Sequence, residues 1–170
     1  YTFVWEYDFS LPVSGDMTVG GNYEVAPEMA IFEFTSAADS CKITGIKDNT
    51  VTEIIIPYYV TSIGYSAFYN CSGLSSITIP NSITSIEYGT FSGCSGLASI
   101  TLPNSVTSIG NNAFNGCSGL TSITLPNSVT SIGNSTFRGC SGLASVTFED
   151  NISLDSIGNY VFSSCSGLAS

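Results

Sequence analysis

Cysteine returns every 23 residues through most of this chain, at Cys71, Cys94, Cys117 and Cys140, with Cys165 following after 25. Pro57, Pro80, Pro103 and Pro126 keep the same interval, and so do Phe68, Phe91, Phe114 and Phe137. Two consecutive copies, Leu97 to Gly119 and Leu120 to Gly142, read LASITLPNSVTSIGNNAFNGCSG and LTSITLPNSVTSIGNSTFRGCSG. An earlier copy runs from Leu74 to Gly96, and a more divergent first copy from Val51 to Gly73. The fifth, Leu143 to Gly167, carries a two-residue insertion around Asn151 to Leu154.

A period of this length restricts the fold severely. Each unit has apolar residues at its positions 1, 4, 6, 10, 13 and 18 and cysteine at 21, too few to close a core alone. Stacked, equivalent positions form continuous columns of Leu, Ile, Val and Phe. Pro at position 7 and Ser-Gly at positions 22 and 23 mark the corners. Ser99 to Leu102 alternates as a half-buried strand does, and Val106 to Ile109 reads as a second short strand on another side. Asn111 to Gly116 is too short for more than one helical turn. The expected fold is mainly β, a solenoid of about five rungs roughly 25 Å long at the spacing of stacked strands.

The pattern L-x-x-I-x-L-P-x-x-V-x-x-I-G-x-x-x-F-x-x-C resembles the leucine-rich repeats of the BspA or Treponema type. The resemblance covers Val51 to Ser170. Glu87 departs from it by replacing the glycine of position 14, and Phe148-Glu149 by replacing Leu-Pro. It implies a leucine-rich-repeat β-solenoid in a cell-surface or secreted protein used for attachment to host or neighbouring cells. It brings no catalytic residues.

Before Val51 the period is absent, and nine of the 13 acids lie between Glu6 and Glu53. The expected division is therefore a β-rich capping region at 1–50 and a solenoid at 51–170. From Tyr1 to Leu11 the chain alternates strictly, with Tyr1, Phe3, Trp5, Tyr7 and Phe9 on one face of an amphipathic strand. Ser14-Gly15-Asp16 and Gly20-Gly21-Asn22 read as turns. Ile31 to Phe34 and Cys41 to Ile46 read as two further strands, and the segment as a cover for the open first rung. At the other end Leu168-Ala169-Ser170 begins a further copy, as though another rung should follow. Either a longer array continues there, or the open rung serves head-to-tail assembly, with the Tyr1 to Leu11 strand completing a neighbour's sheet.

Composition excludes several functions. Only 9% of residues are charged, with 13 acids, three bases and no histidine, for a net charge of −10. Nucleic acid and anionic membrane surfaces need basic counter-charges. Without histidine there is no Ser-His-Asp triad, no Cys-His dyad and no histidine-ligated zinc. No apolar run approaches the length of about 20 residues that spans a bilayer. No signal peptide opens the chain, which starts at Tyr1 without methionine, as a processed extracellular product or a cloned fragment would. The reading is that of a non-enzyme with no cofactor and no metal.

The five periodic cysteines read as buried thiols. Equivalent positions on stacked strands point the same way about 4.8 Å apart, whereas a disulfide needs converging Cβ atoms about 3.8 Å apart. Cys41 stands outside the period with no evident partner. Outward positions 3 and 5 carry Ser and Thr in every later copy. These flat ranks resemble the threonine arrays of ice-binding solenoids, and small polar residues suited to a pleated surface explain them as well. Asn81, Asn104 and Asn127 at position 8 suggest a ladder of stacked amides. Glycosylation sequons fall at Asn70, Asn134 and Asn151.

Variation between copies is aromatic in the first rungs. Tyr58, Tyr59, Tyr65, Tyr69 and Tyr88 form a candidate interaction surface, since tyrosine offers rigid amphipathic contact area; packing against the cap is the competing role for some of them. Two functions are carried forward. The first is an extracellular adhesion module binding protein or glycan on a host or neighbouring cell. The second is a structural subunit that polymerises head to tail through its N-terminal strand and uncapped last repeat.

Overall fold

The computed structural model describes residues 31–37, 40–150 and 153–168. The strand expected from Tyr1 to Leu11, with Tyr1, Phe3, Trp5, Tyr7 and Phe9, lies outside the described residues. So do both turns expected after it and Asn151.

The described chain contains no helix. Its strands are β1 (Phe32–Ala37), β2 (Ser40–Ile46), β3 (Glu53–Ile55), β4 (Ser62–Ile63), β5 (Ser76–Thr78), β6 (Ser85–Ile86), β7 (Ser108–Ile109), β8 (Ser122–Leu125), β9 (Ser131–Ile132), β10 (Ser145–Phe148) and β11 (Ser156–Ile157). From Val51 each rung supplies one short strand to each of two walls, except the third, which gives the first wall a single bridging residue. The first wall pairs β3 with β5 and β8 with β10, all parallel and in exact repeat register. The strand expected over Ser99 to Leu102 contracts to Thr101, which bridges Thr78 on one side and Thr124 on the other. The second wall runs β6, β7, β9, β11, with Ser85, Ser108, Ser131 and Ser156 in line.

The third side is neither strand nor helix. Over positions 15 to 20 alternate N–H groups reach across to the next rung: Phe68 N to Thr90 O at 2.9 Å, Phe91 N to Ala113 O at 2.8 Å, Phe114 N to Thr136 O at 2.9 Å. The interleaved N–H groups stay within the rung and reach three residues back, as Tyr69 N to Ser66 O at 3.0 Å does, so the donors alternate between turn and neighbour and no α-helix forms. The bend requires a left-handed residue at position 16 (Ser66, Gly89, Asn112, Ser135, Tyr160) and another at position 20 (Asn70, Gly93, Gly116, Gly139, Ser164). Only four of these ten are glycine.

Inside the triangle the expected columns are present. Leu74, Leu97, Leu120 and Leu143 are fully buried, as are Phe68, Phe91, Phe114 and Phe137. The phenylalanine rings stack nearly parallel, with centroids 5.3 to 5.6 Å apart from Phe68 to Phe162. Each ring shields its neighbour from water, and burying one is worth about 1.5–3 kcal/mol.

At the N-terminal end β1 and β2 form an antiparallel hairpin, and β2 pairs in parallel with β4, Ile43 opposite Ile63. The hairpin thus stands where an earlier rung would stand on the second wall. Its buried Phe32 meets Phe68 edge to face, at 6.4 Å and 74°, and ends the column. Both strands expected in this segment are present: β1 starts one residue later than expected and runs three residues further, and β2 starts one residue earlier.

Candidate functional site

The tyrosines singled out in the sequence separate into two groups. Tyr58 and Tyr59 occupy the corner between the two walls and pack edge to face at 5.5 Å and 79°. Tyr58 is 70% exposed, whereas Tyr59 is half-buried against the core. Tyr65 and Tyr88 take the same position in successive rungs, just beyond the second wall, at 68% and 52% exposure. Lys42 Nζ lies 5.6 Å from the centre of the Tyr65 ring, within the range of a cation–π contact. Tyr69, on the third side of the first rung, is also exposed. Tyr160, on the fifth rung at the position of Ser66 in the first, is exposed and held at φ +58°.

The column that begins with Tyr65 and Tyr88 continues as Asn111, Asn134 and Asn159. Here the amide ladder forms: Asn134 N–H donates to Asn111 Oδ1 at 2.6 Å, and Asn159 N–H to Asn134 Oδ1 at 2.7 Å. The expected ladder at position 8 is displaced by one residue into another chemistry. Asn81, Asn104 and Asn127 are exposed, and the next serines carry the bonds. Ser82, Ser105 and Ser128 donate to Val60 O, Ile83 O and Val106 O at 2.6 to 2.7 Å. A hydroxyl on a short side chain reaches the adjacent rung's carbonyl without reordering the corner.

All six cysteines are free. Cys94, Cys117, Cys140 and Cys165 are buried and donate Sγ–H to the carbonyl oxygens of Phe68, Phe91, Phe114 and Phe137, one rung back, at 2.9 to 3.1 Å. Burial pushes the Cys140 thiol up to about 12, with the neighbouring Cys165 adding to the effect. Burial raises Cys117 further still, helped by Cys140. These are inert packing groups rather than nucleophiles. Among the described residues no three of His, Cys, Asp and Glu lie close enough together to hold a metal ion.

Two sequons are described. Asn70 is exposed at φ +58°, and Asn134 is exposed while its Oδ1 serves the ladder. The outward Thr78, Thr101, Thr124 and Thr147 stand exposed in register along the first wall. A shallow groove of about 300 Å³ follows the second wall, floored by Ser108, Gly110, Ser131 and Gly133, with Glu87 at one end. Glu87 Oε1 accepts the Ser85 hydroxyl at 2.7 Å.

A larger cleft, about 470 Å³, opens between the hairpin and the first rung. Glu33, Thr44, Gly45, Lys47, Asn49 and Tyr69 contribute to its walls. Of these, only Tyr69 stood out in the sequence. The hairpin residues belong to no repeat and bear no motif, and the cleft joins Glu33 to a tyrosine 36 positions away. Among the described residues no helix is long and apolar enough to cross a membrane.

The BspA-type leucine-rich repeat family matches residues 46–169 with six copies, and the chain belongs to that family. Among solved structures it is similar to a leucine-rich repeat protein of T. pallidum, at 28% identity and a TM-score of 0.76, over 86% of this chain and 70% of that one. A Bacteroides ovatus leucine-rich repeat protein is similar at 33% identity and a TM-score of 0.69, over 81% of this chain and 44% of the other. A leucine-rich cell surface protein of Faecalibacterium prausnitzii matches at 26% identity and a TM-score of 0.64, over 76% and 42%. The chain thus spans less than half the length of the last two. No curated protein sequence matches it.

Proposed function

We propose that this BspA-type leucine-rich repeat chain is an adhesion module displayed at a cell surface, binding protein or glycan on a host or neighbouring cell. The observation that carries the reading is the cluster of exposed tyrosines on the first two rungs, with Tyr160 standing apart on the fifth. Interior rungs expose serine, threonine and asparagine, while Tyr58, Tyr65, Tyr69 and Tyr88 stand out at the N-terminal end. Exposed aromatic rings cost solvation unless a partner covers them, and such rings are enriched where partners bind. Membership of a family with a cell-surface relative supports the location.

Beads coated with the purified chain should be retained on an epithelial cell monolayer. Retention should fall several-fold when Tyr58, Tyr65 and Tyr88 are replaced together by serine. Retention that ignores all three substitutions overturns the assignment of that surface.

A second reading, end-to-end association of copies, rests on Phe148 and Ile157, which the fifth rung leaves exposed. A sixth rung in a longer chain would cover the same face. Light scattering across a hundredfold concentration range separates the two: growth into fibres supports assembly, and a constant mass of 17.8 kDa removes it.

A further inference from the structure

We infer that the cleft between the hairpin and the first rung is a binding site for a neutral oligosaccharide. This rests on the adhesion reading and narrows the partner to sugar. The cleft's volume of about 470 Å³ falls within the roughly 300–1,000 Å³ of small-ligand sites. Its walls are polar rather than greasy, which suits a ligand covered in hydroxyls. The Glu33 carboxylate can accept two hydroxyl protons; the Asn49 amide and the Thr44 hydroxyl can both donate and accept, and the Lys47 ammonium donates. The exposed Tyr69 ring supplies the flat apolar surface on which the C–H face of a pyranose packs, with a hydroxyl at its rim. The chain carries a net charge of −10 and the Glu33 carboxylate stands on the cleft wall, which disfavours an acidic sugar.

The carboxylate is positioned by the backbone. Glu33 pairs with Gly45 and Phe34 with Ile43, so Thr44 is the extra residue of a bulge. Bulges re-aim side chains and recur beside binding sites. A Cβ on Gly45 would stand 2.8 Å from Glu33 Oε2. The carboxylate therefore lies in the space that any other residue at 45 would fill. The three atoms nearest that Cβ among the described residues all belong to the flexible Glu33 side chain, so Gly45→Ala displaces the carboxylate while leaving the fold in place.

The test is calorimetric titration of the full chain with maltohexaose, cellohexaose and mannohexaose. At least one should bind saturably. Tyr69→Ala and Glu33→Gln should each weaken that binding about tenfold or more, equal to about 1.4 kcal/mol. Gly45→Ala should weaken it with an unchanged melting temperature, a combination that a purely structural glycine would not produce. Tyr160→Ala, on the far rung, should change nothing. Failure of all three sugars to bind overturns the proposal, as does binding that Tyr69→Ala and Glu33→Gln leave untouched. Neither result touches the adhesion reading, which is judged by bead retention; failure of the unaltered chain to be retained, with sugar binding intact, would overturn that reading alone.

Discussion

The Cys140 thiol donates its proton to the carbonyl oxygen of Phe114, one rung back, at 3.1 Å. The same bond recurs from Cys117 to Phe91 and from Cys165 to Phe137. Cys94, Cys117, Cys140 and Cys165 therefore fill a corner and also give a second donor to a carbonyl that already accepts a backbone N–H.

The first prediction concerns pH. Burial raises Cys140 from 9.0 to about 12, so between those values the unfolded chain loses this proton and the folded chain keeps it. The associated stability is complete below pH 9 and is lost as pH rises towards 12. The melting temperature should accordingly fall between pH 9 and 11, less steeply in Cys140→Ser. Ellman's reagent at pH 8 should leave the four buried, donating thiols untouched until denaturant is added.

Glycines 116 and 119 separate two kinds of backbone constraint. Gly116 has φ +74° and a Cβ there would make only ordinary contacts, with Gly93 Cα nearest at 3.8 Å, so Gly116→Ala should cost only the left-handed penalty, about 1–2 kcal/mol. Gly119 has an ordinary φ, yet a Cβ there would lie 2.5 Å from Ser95 O, a backbone atom. Gly119→Ala must push two rungs apart and should lower the urea midpoint more than Gly116→Ala does.

Left-handed positions that lack glycine offer the opposite change. Ser135 has φ +55°, where glycine is more comfortable. Ser135→Gly should raise stability by about 0.5–1 kcal/mol, read as a higher melting temperature. An unchanged or lower value would show that the serine side chain contributes more than its backbone strain costs.

The ring column should be most sensitive at its middle. Phe114 is fully buried between Phe91 and Phe137, and Phe114→Ala should cost about 3–5 kcal/mol. Phe162, half-buried with Phe137 on one side, should cost clearly less. Equal losses in chemical denaturation would mean the column does not behave as stacked independent layers.

The period made the columns legible because the same residue type recurs wherever the same volume must be filled, as at Phe91, Phe114 and Phe137. The free thiols followed from strand spacing alone. Hydrogen-bond direction was not legible. Asn104 and Asn111 are the same residue in the same unit, and only the orientation of the next rung's N–H decides that Asn111 Oδ1 has a partner at Asn134. Nor does residue type reveal a left-handed bend at Ser66 or Tyr160, since the neighbouring rungs impose it. The cleft was hidden for another reason: Glu33 and Gly45 lie in a segment without a period, and a bulge brings the carboxylate over the glycine.

The perpendicular Phe32 ring gives the molecule an origin. Every other ring in the column presents a flat face that an identical ring can continue, whereas an edge-on ring presents none. Another 23-residue unit cannot be slipped in ahead of Phe68 without evicting the hairpin and dismantling the cleft beside it. Further in, a whole unit can be added or removed with both its interfaces preserved. The protein is thus a ruler with a fixed zero mark: its reach can change by whole rungs while the end that carries Tyr58, Tyr65, Tyr69 and Tyr88 stays the same.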